Sequence, residues 1–281
     1  MSRRLVILWL TAVGYACCAP APEPLKIIRV AIRQIEDGSP VGDRTGFVPG
    51  ETVYVSFEVV NFTLAKETQS VSLTWSVDAT DPKGIPIIPQ AKGTTKANLQ
   101  PEDKDWRPRI RQSLVVPSPA PGGTYSIHLQ TTDVNSGQSA TADTKFTVSG
   151  PEFVPATGLE IRSFGFYRTE DEPRPLTEPV FRPGSSMYAR FQIVGYKYGE
   201  KNADEVTYGV SILGSGDKVL YTQDPAVDDK TEGFYPKPWV DATMSLSLAP
   251  GTKTGAYTLL VNAKDKVGNQ SVEIRKPFRV E

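Results

Sequence analysis

The chain repeats itself. LKIIRVAIRQIEDG, beginning at Leu25, aligns with LEIRSFGFYRTEDE, beginning at Leu159, at an offset of 134 positions, and the same offset continues without a gap. Phe47-Val48-Pro49-Gly50 meets Phe181-Arg182-Pro183-Gly184, and the segment from Val53 to Val60 meets that from Met187 to Val194. A net change of two residues in the middle loops then gives an offset of 132. There Gly123-Thr124-Tyr125 meets Gly255-Ala256-Tyr257, Asp133 meets Asp265, Gln138-Ser139 meets Gln270-Ser271, and Phe146-Thr147-Val148 meets Phe278-Arg279-Val280. Ordered agreement over a half-chain is the signature of a duplicated domain. The 281 residues therefore divide into units at 25–149 and 158–281, joined by a linker at 150–157 that its two prolines should stiffen.

Within each unit the apolar period is 2. Val53, Val55, Phe57 and Val59 alternate with Tyr54, Ser56 and Glu58, and Tyr125, Ile127 and Leu129 alternate with Ser126, His128 and Gln130. Such alternation marks half-buried strands. The first unit should hold strands at 26–35, 51–62, 71–78, 85–89, 110–116, 123–132 and 140–148. Their counterparts fall at 160–168, 185–196, 205–213, 218–222, 241–248, 255–264 and 272–280. No segment has a helical period, and the connections are too short for parallel crossovers. The expected fold class is all-β: two tandem seven-stranded antiparallel Ig-like β-sandwiches.

Trp75 in the third strand, with Tyr208 in the equivalent place, and the segments Pro121 to Tyr125 and Gly251 to Tyr257 carry a resemblance. The last two look like tyrosine corners, in which a phenol bonds back to loop backbone. On these residues the chain resembles the bacterial Ig-like and fibronectin-III-like modules of exported proteins. The resemblance covers both units and implies a spacer, an adhesion unit, or a protein- or carbohydrate-binding domain. It does not choose among these.

Residues 1–18 read as a signal peptide: Arg3 and Arg4, then the apolar run from Leu5 to Ala16, then small residues, with a Pro-rich leader at 19–24. The apolar run is too short to span a bilayer, which takes about 20 residues. Gly14-Tyr15-Ala16-Cys17 resembles the bacterial lipobox, whose cysteine accepts diacylglycerol, although the family pattern has Leu and a small residue where Gly14 and Tyr15 stand. Lipidation of Cys17 and ordinary cleavage near Ala19 both fit. Either way the expected location is outside the cytoplasm: periplasm, outer envelope or medium.

The chemistry-bearing residues are few. Cys17 and Cys18 are the only cysteines and His128 the only histidine, which excludes thiol nucleophiles, disulfides and Cys/His zinc sites from the two units. The formal charge of −1 gives no reason to expect a nucleic-acid partner. No nucleophile elbow, phosphate loop, dinucleotide fingerprint or zinc-protease motif occurs, so no catalytic residue, cofactor or metal site is assigned. His128 should face away from the core. Asp133-Val134-Asn135-Ser136-Gly137 and Asp265-Lys266-Val267-Gly268-Asn269 have the composition of tight hairpin turns, with calcium ligation the less favoured reading. The most suggestive stretch is Glu232 to Trp239, where Phe234, Tyr235 and Trp239 stand among prolines. These three are the candidate ligand-binding residues, as an aromatic platform for sugars or a peptide. The competing expectation is that they close the end of the sandwich or pack against the first unit.

The sequence therefore points to a non-enzymatic, exported binding or spacer protein with an unidentified protein or glycan ligand. Its only route to a membrane would be the lipid on Cys17. A carbohydrate-binding sandwich or hydrolase accessory module is the alternative, and a two-domain periplasmic chaperone is a third.

Overall fold

The computed structural model describes residues 23–42, 46–150, 152 and 154–281. Cys17 and the rest of the leader lie outside the described residues. Strands alternate core-facing apolar residues with outward polar ones, and each unit closes as a three-stranded sheet against a five-stranded sheet. In the first unit β1 (Lys26–Arg33), β3 (Thr52–Val60) and β6 (Arg109–Val115) form the small sheet in the order β1-β3-β6. The large sheet has the order β2-β8-β7-β4-β5. Its strands are β2 (Gly46–Phe47), β4 (Ser70–Thr80), β5 (Ala91–Asn98), β7 (Gly123–Asp133) and β8 (Ser139–Val148).

The second unit repeats this arrangement. The small sheet is β9 (Glu160–Tyr167), β11 (Ser186–Val194) and β14 (Trp239–Ser247). The large sheet is β10 (Val180–Phe181), β12 (Asp204–Leu213), β13 (Val219–Thr231), β15 (Gly255–Asp265) and β16 (Gln270–Val280), in the order β10-β16-β15-β12-β13. Among the described residues no ladder joins strands of different units.

Among the described residues each unit has eight strands where seven were expected, and the fold is not wholly antiparallel. β2 pairs parallel with β8 and β10 parallel with β16, each over two residues. After the first strand the chain leaves the small sheet and touches the last strand of the large one. Two residues are too short to show a period. The segment 85–89 forms only an isolated bridge at Pro86, and the strand it was expected to be lies at Ala91–Asn98. That edge strand, AKGTTKAN, has no large apolar residue to reveal it, and its outward Lys92 and Lys96 suit an unpaired edge.

Each sandwich has its own apolar core with the same ring cluster at its centre. Phe47 and Phe146 meet edge to face at 5.5 Å, and Tyr125 packs on Phe146 at 5.3 Å. The counterparts Phe181 and Phe278 meet at 6.1 Å, and Tyr257 stacks on Phe278 at 5.5 Å. Both tyrosine corners form: Tyr125 Oη donates to the Pro121 carbonyl at 2.7 Å and Tyr257 Oη to the Lys253 carbonyl at 2.6 Å. Tyr208 is buried, whereas Trp75 is only half-buried and lies over Gly93 of the edge strand. Turns repeat as well. Gly50 and Gly184 each take a left-handed φ after a proline, which is the third position of a type II turn.

Candidate functional site

Asp133 is fully buried at the end of β7. Its Oδ2 accepts the Thr63 amide at 2.8 Å and the Ser136 hydroxyl at 2.6 Å, and its Oδ1 accepts the Asn135 amide at 3.0 Å. Asp265 repeats the arrangement, accepting the Lys197 and Gly268 amides at 2.9 Å each and the Gln270 side chain at 3.0 Å. Five residues past these aspartates, Gln138 and Gln270 accept the amides of Leu25 and Leu159, the residues that open each unit. Each carboxylate thus ties the last hairpin to the loop after β3 or β11. Burial alone would raise the Asp133 pKa, but the donors around it outweigh burial and hold it below the usual carboxylate range. Among the described residues no group of three or more His, Cys, Asp or Glu side chains could hold a metal ion. His128 faces outward and pairs across strands with Asp143 at 2.7 Å.

The loop between β13 and β14 does not form a three-ring platform. Phe234 is 50% exposed, Tyr235 is half-buried, and Trp239 opens β14 with its Nε1 donating to Asp241 at 3.0 Å. None of the ring pairs among the described residues joins two of the three. The loop is instead held from below by its own sandwich. Asn202 donates to the Phe234 carbonyl at 2.6 Å, Tyr198 to the Lys237 carbonyl at 2.7 Å, and Lys237 Nζ pairs with both oxygens of Asp229 at 3.0 and 3.1 Å. So supported, Tyr235 reaches the other unit. Its ring packs against the core of the first sandwich, and its hydroxyl donates to Asp81 Oδ2 at 2.9 Å. Burial and the neighbouring Asp81 carboxylate push its pKa up.

Asp204, at the start of β12 beneath this loop, was missed by sequence reasoning. It is 1% exposed, accepts the Thr231 hydroxyl on Oδ2, and has no partner for Oδ1. By the registers that pair Leu73 with Asp133 and Val206 with Asp265, its counterpart in the first unit is Val71, and an acid in place of that buried apolar residue is the one signal the sequence held. Burial raises its pKa, Thr231 and Lys237 pull it down, and Asp229 and Asp265 raise it further. A carboxyl whose folded pKa lies above its unfolded value near 3.9 contributes best when protonated, so its contribution declines as pH rises from about 4 through the folded pKa. Asp204→Asn removes that charge. Its Tm should exceed that of the wild type at pH 7 by roughly 2–4 °C, the shift expected for about 1 kcal/mol, and the difference should vanish near pH 4. Thermal melts at the two pH values check this; an unchanged or lower Tm at pH 7 refutes it.

One apolar groove opens at the edge of the second sandwich, about 680 Å³, lined by Leu220, Tyr221, Leu246, Leu248, Tyr257 and Phe278. Leu220 and Tyr221 are exposed on edge strand β13. The sequence placed a strand there but gave no sign of the groove, since β14, β15 and β16 supply its other walls. Among the described residues no helix is long and apolar enough to cross a membrane.

No protein-family model and no curated protein sequence matches the chain. Among solved structures it is similar to E. coli alpha-2-macroglobulin, seen by cryo-EM in its native conformation, at 8% identity and a TM-score of 0.27, over 91% of this chain and 17% of that one. The chain thus spans about a sixth of the length of that relative. The assignment to β-sandwiches rests on the sheets themselves.

Proposed function

We propose that this protein is an exported cell-envelope component, anchored through Cys17, whose paired sandwiches bind or space rather than catalyse. The observation that carries the reading is the state of its buried carboxylates. Of the five among the described residues, Asp81, Asp133 and Asp265 are each engaged by amide, hydroxyl or side-chain amide donors that hold loops in place, and Glu58 is paired with Arg29 and Arg109; Asp204 alone keeps an oxygen without a partner. A carboxylate occupied in this way is a structural tie. Export and lipidation are supported by the leader sequence, with its two arginines, its short apolar run and its cysteine pair.

The test is the mass of the mature N-terminal peptide after expression in a Gram-negative host, with Cys17→Ser alongside. A diacylglyceryl group on Cys17, absent from the variant, is the expected result. An unmodified start near Ala19 would overturn anchoring, and retention of Met1 would overturn export. The carbohydrate-binding reading is favoured by one observation, the half-exposed ring of Phe234. Glycan-array binding lost in Phe234→Ala would establish it in place of the spacer.

A further inference from the structure

We propose that the loop from Glu232 to Pro238 is an inter-sandwich lock, which sets the two units at one fixed angle and makes them move as a single body. Linked domains are expected to move relative to one another unless the contact between them is specific and well buried. Here the contact has a prepared receptor. Asp81 is 4% exposed and uses Oδ1 for its own turn, accepting the Lys83 and Ile85 amides at 2.8 Å each. That leaves Oδ2 buried and aimed at Tyr235 Oη. Withdrawing the phenol would take from this oxygen a hydrogen bond to a charged acceptor and uncover the apolar surface that the ring packs on. Beside it sits Tyr125, whose own phenol is committed to its corner; burial first, and then Asp81, push its pKa up to about 12. The lock therefore seats beside the tyrosine corner of the first sandwich.

The duplication provides an internal comparison. In the first unit the aromatic of the corresponding loop is Trp106, which turns inward and meets Phe62 of its own sandwich edge to face at 5.8 Å. The fold does not itself require an outward ring at this place, so Tyr235 serves the relation between units. The linker is held at the same junction. Glu152 bridges to Gly122 beside the tyrosine corner, and Arg162 of β9 donates to the Val154 and Pro155 carbonyls at 2.7 and 3.1 Å. With chain connection, linker bonds and wedge all engaged, rotation about the linker would have to break Tyr235 out of the first core. This goes beyond the proposed function and holds whether the ligand is a protein, a glycan or neither.

Residual dipolar couplings and amide relaxation on the full chain test it. The wild type should fit one alignment tensor and one rotational correlation time across both sandwiches. Tyr235→Ala should lose the shared tensor, with the two halves fitting different ones. Tyr235→Phe, which keeps the ring and drops the hydrogen bond, should fall between, and supplies the reading should the alanine variant fail to fold. Phe234→Ala, next door but exposed, should leave the tensor unchanged. Two tensors in the wild type, or one tensor surviving in Tyr235→Ala, would overturn the proposal.

Discussion

Asp133→Ala should destabilise the first sandwich by about 3 kcal/mol, because it removes the buried charged acceptor shared by the Thr63 amide, the Asn135 amide and the Ser136 hydroxyl, and a hydrogen bond to a charged group contributes about 1.5–3 kcal/mol. Urea unfolding followed by amide protection should show the loss in β3, β7 and β8 first. Asp133→Asn is only a partial repair. Both oxygens accept, so an amide in either orientation sets its NH2 against at least one donor. The two variants also differ from the wild type in pH response. The folded Asp133 carboxyl titrates below its unfolded value near 3.9, so its contribution is full above about pH 4 and is lost as pH falls through the folded pKa. Neither variant should show that acid-side component. Asp265→Ala should weaken the second sandwich comparably, since it strands the Lys197 and Gly268 amides and the Gln270 side chain. A cost below about 0.5 kcal/mol in both, the range of ordinary surface changes, would refute the idea that these acids are structural ties.

The Asp133/Asp265 and Gln138/Gln270 matches were visible in the self-alignment, as were the ring cluster, the corners and the period-2 strands. What these features share is locality: each is written in a short window or in the agreement of two windows. The features that escaped are of two kinds. Some involve too few residues or too little apolar contrast, such as the two-residue β2 and β10 and the polar edge β5. Similarly, the first strand of each unit slips register at a residue with left-handed backbone, Arg29 at φ 51° and Ser163 at φ 52°, where neither residue type announces it. The others depend on distant partners. Tyr235 meets Asp81 across 154 positions, and alternation within one loop carries no information about a receptor in the other unit. The sequence singled out the loop by its three aromatics but held no sign of which ring would reach the first unit.

The self-alignment also explains a second large effect. Asn61 and Gly195 stand 134 positions apart and both take left-handed backbone, at φ 61° and φ 79°, immediately past β3 and β11. Each ends a strand beside the segment that opens its unit, but they do so differently. Asn61 tolerates this conformation and uses its side chain, donating to the Pro24 carbonyl at 3.0 Å. Gly195 lets backbone meet backbone: a Cβ there would lie 1.9 Å from the Gly158 carbonyl oxygen and 2.6 Å from its carbon. Gly195→Ala therefore combines the left-handed penalty of about 1–2 kcal/mol with a collision neither side can relieve by a rotamer change. We expect a total loss of about 3 kcal/mol or more in the second sandwich, with displacement of the linker end at Gly158 and weaker pairing of Val194 with Glu160. Asn61→Gly, by contrast, keeps the backbone and loses only exposed bonds, so its cost should stay near 0.5 kcal/mol. Denaturant midpoints of the two variants decide the matter. A cost at Gly195 of only about 1–2 kcal/mol, the left-handed penalty alone, would mean that Gly195 serves only its own φ, and that the close approach of Gly158 contributes nothing to how the second sandwich is joined to the first.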